Sequence, residues 1–114
     1  MDYQKLVAFQ KSYDFTIWLV PILNKFPKSQ RFTLAQQIEN ALINLLKFLQ
    51  NGVLSQEQKR LTNWQEASRE LDEIRLFVRI AKDLRFLSIK QYGLCAEKIN
   101  EIGKYLSGLV KSAS

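Results

Sequence analysis

The hydrophobic positions of the chain follow a helical period in four segments separated by short polar connections. In residues 3–24 the apolar side chains recur at spacings of three and four, which predicts an amphipathic helix. Pro21 has no N–H group, so we expect it to bend or weaken this helix near its end, before a connection at 24–29. The apolar positions on this face are Leu6, Phe9, Tyr13, Ile17 and Val20.

Capping patterns predict where the other three helices begin. In a capping box a Ser or Thr side chain and a Gln side chain satisfy each other's backbone N–H groups at a helix start. Asn51-Gly52 is expected to end the second helix, with glycine in the left-handed conformation. The third helix is then expected over about 56–87 and the fourth to about 111. The capping pairs are Thr33 with Gln36, Ser55 with Gln58, and Ser88 with Gln91.

The apolar seams of the last three helices predict the fold. The fourth seam advances by 3, 4, 3, 4 and 3 residues, a heptad pattern that favours shallow packing angles. Four helices with short connections form an antiparallel up-down-up-down four-helix bundle, an all-α fold, and we expect one domain over 1–114. The seams are Ile38, Leu42, Leu45 and Leu49; then Leu61, Trp64, Leu71, Ile74, Val78 and Ala81; then Tyr92, Cys95, Ile99, Ile102, Leu106 and Leu109.

The first and third helices carry more apolar residues than one bundle core requires. A helix that is apolar on two faces is buried on two faces, and a large exposed apolar patch is unusual in a soluble monomer. We therefore expect self-association, with a crowded core as the alternative. The additional positions are Phe15, Trp18, Leu19 and Ile22 in the first helix, and Leu76, Phe77, Ile80, Leu84, Phe86 and Leu87 in the third.

Composition excludes several kinds of functional site. The chain has no histidine and one cysteine, Cys95, so zinc fingers, disulfide scaffolds and Ser–His–Asp triads are excluded. We expect Cys95 to pack as a small apolar residue, and Glu66, Glu70 and Glu73 to form a solvated face. No catalytic residue, metal site or cofactor is predicted. Because no acid–base pair, nucleophile or metal site is predicted, we expect that the protein is not an enzyme. The start lacks a signal-peptide layout and no apolar run is long enough to span a membrane, so we expect a cytoplasmic protein.

The net charge of +6 is concentrated in two segments. Residues 25–31 contribute +3 without an acid, and residues 74–87 contribute +3. The first and third connections of an up-down bundle lie at the same end, so these segments should meet there. Arg75, Arg79 and Lys82 also share one helix face. The candidate nucleic-acid-binding residues are Arg75, Arg79, Lys82, Lys28, Arg31, Arg85, Lys25 and Lys90.

Two interpretations of these bases remain open on sequence grounds. Acids early and bases late in a helix suit its macrodipole, so the charge gradient of the third helix has a purely stabilising explanation. Alternatively, the basic end is a surface that neutralises several phosphates at once. A ring-shaped oligomer would repeat the basic surface and favour nucleic acid.

The run FPKSQRFTL at Phe26–Leu34 carries a family resemblance. With other segments it resembles the accessory variability determinant (Avd) proteins of diversity-generating retroelements over nearly the whole chain. Ala35 stands where such proteins often have glycine, and Leu106–Leu109 matches their Gly-Gly-Trp only in part. The other agreeing segments are Tyr13–Phe15, Gln37–Glu39, Glu66-Ala67, Leu71–Arg75, Val78–Leu84, Gln91-Tyr92 and Glu101–Gly103.

The resemblance implies more than the periodicity does. Avd-type proteins are four-helix bundles that form a homopentameric ring with a basic surface. They bind the retroelement's reverse transcriptase and nucleic acid, RNA and possibly DNA, and support mutagenic retrohoming, while the polymerase chemistry belongs to the partner. On matching positions the resemblance favours Arg75, Arg79 and Lys82, with Lys28 and Arg31 second.

Two alternatives accompany this interpretation. The four-helix proteins encoded in ribosomal RNA intervening sequences share the architecture and the Phe-Pro-Lys turn, and imply a partner in ribosomal RNA or the ribosome. A protein-only scaffold would use its bases merely to balance helix dipoles, without affinity for RNA.

Overall fold

The computed structural model describes residues 2–114 as four α-helices joined by three connections, and no strand occurs within that range. Each helix packs against its neighbours in the chain, and α1 also packs against α4, which closes the bundle. The antiparallel four-helix bundle predicted from the seams is confirmed, with extents of 43 × 24 × 19 Å. No described helix has the length and hydrophobicity to cross a bilayer. The helices are α1 Asp2–Leu23, α2 Leu34–Leu54, α3 Glu57–Asp83 and α4 Ile89–Ala113, with a 3-10 turn at Lys28–Gln30.

The core is built largely from the predicted seams of α2, α3 and α4. The four seam residues of α2 are buried, as are those of α4 from Cys95 to Leu109. In α3 the seam is buried from Trp64 to Ala81, whereas Leu61 is only half-buried. Tyr92, at the start of the α4 seam, is half-buried and packs against the core.

The face of α1 that packs against the core is not the face that carries the first set of apolar residues. Leu6 and Ile17 are 63% and 59% exposed, whereas Phe15 and Leu19 of the second set are buried. The inward stripe also contains Ser12, whose hydroxyl donates to the Ala8 carbonyl at 2.8 Å. A hydroxyl satisfied one turn back along its own helix can be buried at little cost. The buried face of α1 is therefore partly polar, and counting apolar residues selects the wrong face.

Helix α2 continues past Asn51-Gly52 to Leu54, so the predicted glycine stop is wrong. Gly52 is buried inside the helix, and no glycine in residues 2–114 has a positive φ. A Cβ at Gly52 would lie 2.3 Å from Cζ3 of Trp64. Glycine is needed here because the indole of α3 occupies the space where a side chain would begin.

One of the three predicted capping boxes forms. The Ser88 hydroxyl accepts from the Gln91 N–H at 3.0 Å, while the Gln91 side chain accepts from the Ser88 N–H. Thr33 precedes α2 but its side chain makes no capping bond; its hydroxyl donates to the Gln30 side chain at 2.9 Å. Ser55 follows the last residue of α2, and its hydroxyl donates to the Gly52 carbonyl at 3.2 Å. The residue that precedes α3 is Gln56, whose side chain makes no capping bond.

Helix α3 ends at Asp83, earlier than the predicted limit near 87. Arg85 adopts the left-handed conformation with φ 66°. The Phe86 N–H then donates to the Ala81 carbonyl at 2.8 Å and the Arg85 N–H to the Lys82 carbonyl at 2.9 Å. This is a Schellman stop formed without glycine. In α1, Pro21 lies within the last turn, close to the end of the helix at Leu23.

Candidate functional site

The first and third connections meet at one end of the bundle. Phe26 is buried, and its ring lies 5.6 Å from that of Phe86 between centroids. The flanking bases of the two connections are therefore brought to one end, as expected from the topology. Five of these bases are exposed: Lys25, Lys28, Arg31, Arg85 and Lys90.

The three bases of the α3 stripe differ in how they are partnered. Exposed Arg75 donates to Asp72 at 2.6 Å. Lys82 is half-buried, lies 3.3 Å from Asp83, and places its Nζ 4.8 Å from the centre of the Tyr92 ring. Arg79 is exposed, and no acid in residues 3–114 pairs with it within 4.0 Å. Arg79 is therefore the most available base of the stripe.

An open groove of about 580 Å³ between α3 and α4 adds two bases to the set. Arg75 lies on its α3 side, and Lys104 and Lys111 lie on its α4 side. Both lysines are exposed. Neither lysine is among the candidates predicted from the sequence, although their spacing of seven residues puts them on one stripe of α4. Asp72 is the acid among the groove residues.

A second hollow lies where α3 ends and α4 begins. Lys82, Arg85, Ile89 and Tyr92 contribute to its wall. Because Lys82 and Arg75 share one face of α3, this hollow continues the α3–α4 groove towards the end where the connections meet. Bases thus occur along the whole side of the bundle formed by α3 and α4.

Of the three acidic residues of α3 expected to form a solvated face, Glu73 is exposed, Glu66 is half-buried and one is not solvated. Glu70 is buried, and this expectation is wrong for it. Burial raises the pKa of its carboxyl group, with Glu73 adding to the effect and a hydrogen bond from Asn44 opposing it. Glu66 instead bonds to Arg69. No cluster of His, Cys, Asp and Glu suited to a metal ion occurs in the part of the chain that is described.

The cysteine is part of the core, as expected. Cys95 is fully buried and has no disulfide partner. Burial raises the pKa of its thiol to about 11, so it stays protonated at neutral pH. A thiol needs its thiolate form to react, and Cys95 therefore acts as a small packing residue.

Apolar side chains are exposed on α1 and on α3. Leu6 and Ile17 represent the set on α1. Leu76, which is 55% exposed, lies on α3, and Leu84, which is 54% exposed, follows directly after that helix. The second helix lies between α1 and α3 and carries few charges, with Glu39 and Lys47 as its charged residues. Low charge and exposed apolar side chains are typical of the centre of a protein–protein interface. This side of the bundle is thus distinct in character from the basic α3–α4 side.

The chain is similar to known proteins both in its sequence and in its fold. A family model described as bAvd-like matches residues 6–113. The fold also matches the crystal structure of a protein with unknown function from the S23 ribosomal protein family of Bacteroides thetaiotaomicron VPI-5482, with a TM-score of 0.87 at 18% identity. The match covers 95% of this chain and 98% of that one, and at this identity it shows a shared fold. The chain has no significant match among curated proteins.

Proposed function

The chain belongs to the bAvd-like family, and from this premise we propose that it is the non-catalytic accessory protein of a diversity-generating retroelement. In this role it binds the reverse transcriptase and nucleic acid, template RNA or cDNA, and supports mutagenic retrohoming in the cytoplasm. The observation that carries the proposal is the family match over residues 6–113.

The basic surface supports the nucleic-acid part of this role. Arg75, Arg79 and Lys82 project from one face of α3, and the bases of the connections lie at the end of the same helix. A nucleic-acid backbone carries closely spaced charges, and a row of Lys and Arg neutralises several of them while releasing counterions. The bases proposed to bind are Arg75, Arg79, Lys82, Lys28, Arg31, Arg85, Lys25 and Lys90.

The exposed apolar side chains support assembly into a ring, which we propose to be a homopentamer as in Avd-type proteins. The exposed sets lie on α1 and on α3, two different helices. A contact between two different faces repeats head to tail and closes into a ring when the rotation allows it, whereas a two-fold dimer uses one face twice. Assembly repeats the basic surface once per subunit.

The experiment that tests the proposal compares RNA affinity across a salt series. Replacing Arg75, Arg79 and Lys82 together with alanine should weaken binding and flatten the dependence of log K on log salt. Circular dichroism and light scattering should show unchanged helicity and assembly, because the two arginines are exposed and Lys82 is half-buried. A matched control removes the same charge elsewhere, at Lys47, Lys59 and Lys98. Equal RNA affinity in the two variants would contradict the proposed site.

A second candidate follows from the fold shared with the protein of the S23 ribosomal protein family. In that case the chain is a four-helix protein that associates with ribosomal RNA or the ribosome. Affinity purification from cells separates the two: recovery of a reverse transcriptase supports the retroelement role, and recovery of ribosomal RNA supports the second. A protein-only scaffold would show no salt-sensitive affinity for RNA.

A further inference from the structure

We propose that a nucleic-acid backbone lies lengthwise in the α3–α4 groove and that Lys104 and Lys111 of α4 bind its phosphates together with Arg75. The inference rests on the proposed function, because it names the surface and two further residues that would bind nucleic acid. It places the backbone along the side of the bundle as well as at the end where the connections meet.

The positions of the two lysines support this path. Both line the groove, both are exposed, and no acid of residues 3–114 lies within ion-pairing distance of either. At a rise of about 1.5 Å per residue, their spacing of seven residues spans roughly 10 Å along α4. In a B-form duplex each strand carries one phosphate per roughly 3.4 Å of helix axis, so this distance corresponds to about three steps along the axis. One backbone lying along α4 can therefore meet both ammonium groups.

The remaining surface of the groove suits a phosphate backbone. Ser68, Asn100 and Ser107 offer side-chain hydrogen-bond donors of the kind that commonly contact phosphate oxygens. Gly103 and Gly108 also line the groove, and a residue without a Cβ lets a ligand approach the helix closely. The groove thus combines cationic groups, neutral hydrogen-bond donors and two positions without a side chain, where a ligand can approach the helix backbone.

The groove is poorly suited to a protein segment. Protein–protein interfaces depend on a few buried apolar or aromatic anchors at their centre. Leu71, the apolar residue of the groove with a large side chain, is buried in the core at 2% exposure. The exposed Leu76 is next to Arg75 in the sequence and therefore points about 100° round α3 from it, away from the stripe that lines the groove.

Asp72 is the group in the groove that opposes anion binding. Its carboxylate is 68% exposed and accepts a hydrogen bond from Arg75 at 2.6 Å. It repels a phosphate and occupies one of the guanidinium's donors. Removing this charge should therefore strengthen binding if the groove is the site, and should do nothing to binding at a distant surface.

The test measures the affinity of the full chain for a labelled single-stranded RNA and a DNA duplex of equal length across a salt series. Each lost phosphate contact flattens the slope of log K against log salt by roughly 0.7–0.9. Over the tenfold range from 1 M to 0.1 M salt, two lost contacts lower log K by about 1.4–1.8. Lys104→Ala with Lys111→Ala should therefore weaken binding roughly 25- to 60-fold at about 0.1 M salt. The matched control is Lys47→Ala with Lys59→Ala, two exposed lysines outside the groove. Asp72→Asn should bind more tightly than the unmodified chain.

The outcomes distinguish this inference from the proposed function. If the unmodified chain shows no salt-dependent affinity for either probe, the nucleic-acid part of the proposed function fails and the groove fails with it. If the unmodified chain binds but the groove and control variants weaken equally, the groove is wrong while the proposed function stands. Loss of reverse-transcriptase capture with full RNA affinity would also overturn the inference, because the groove would then be a protein-docking surface.

Discussion

The ring of Phe26 packs against the ring of Phe86 with 5.6 Å between their centroids and 45° between their planes. Phe26 lies in the connection after α1, and Phe86 lies in the connection after α3. The pair therefore joins two segments that are distant in sequence at one end of the bundle. Each ring is next in sequence to an exposed base, Lys25 in one connection and Arg85 in the other, so the contact holds two basic connections at the same end of the bundle.

We expect Phe26→Ala and Phe86→Ala to be coupled. A buried Phe→Ala change costs about 3–5 kcal/mol, and half-buried Phe86 should cost less than buried Phe26. An aromatic pair contributes about 0.5–1.5 kcal/mol beyond the area it buries, so the double variant should lose less than the sum of the single losses by about that amount. Urea unfolding of the four proteins in a double-mutant cycle measures the coupling, and additive losses would contradict it.

Two glycine substitutions should have opposite effects on stability. Replacing glycine by alanine inside a helix normally stabilises it by about 0.5–1 kcal/mol. This gain is expected for Gly93→Ala, where nothing lies within 4 Å of the added Cβ. At Gly52 the added Cβ would clash with the buried Trp64 ring, and overpacking of this kind costs about 1–3 kcal/mol, so we expect a net loss. Thermal unfolding compares the two variants, and a stabilised Gly52→Ala protein would show that the indole can move aside.

The capping predictions are tested by a pair of alanine substitutions. Ser88→Ala removes the hydroxyl that accepts from the Gln91 N–H, and loss of such a cap costs about 1 kcal/mol. Thr33→Ala should cost less, because the Thr33 hydroxyl makes no capping bond to α2. Urea unfolding measures both free energies. A Thr33 loss as large as that of Ser88 would indicate a cap that the structure does not contain.

Glu70 should make the stability of the protein depend on pH. Its pKa in the folded state is raised above the ordinary value of 4.5, chiefly by burial, so folding favours the protonated form. The stability that protonated Glu70 adds to the fold is fully present below about pH 4.5, and it is lost as the pH rises through the pKa of the folded state. Glu70→Gln buries no charge and keeps a hydrogen-bonding partner for Asn44. At pH 7 its free energy of unfolding should therefore be higher than that of the unmodified chain.

The same comparison at low pH provides the internal control. Well below pH 4.5 the Glu70 carboxyl is protonated in both the folded and the unfolded state, and the two proteins should be equally stable. Glu97→Gln, on the exposed surface of α4, controls for the loss of one carboxylate. A Glu70→Gln variant that is less stable at pH 7 would show that the charged form is favoured in the fold.

The number of helices, the core seams of α2 and α4, and the end of the bundle at which two basic segments meet all follow from the amino-acid sequence. These properties follow from local rules. A period of three and four residues defines a helix face, short connections force antiparallel neighbours, and Ser88 with Gln91 forms its cap within four consecutive residues.

Three other properties depend on how the helices pack: which face of α1 is buried, why Gly52 is a glycine, and that Lys104 and Lys111 share a groove with Arg75. Each depends on atoms from another part of the chain. Ser12 is acceptable in the core because its hydroxyl is satisfied, Gly52 is required by an indole on α3, and a groove needs two helices. Hydrophobic periodicity describes one helix at a time, so it predicts the elements but leaves open what each face will contact.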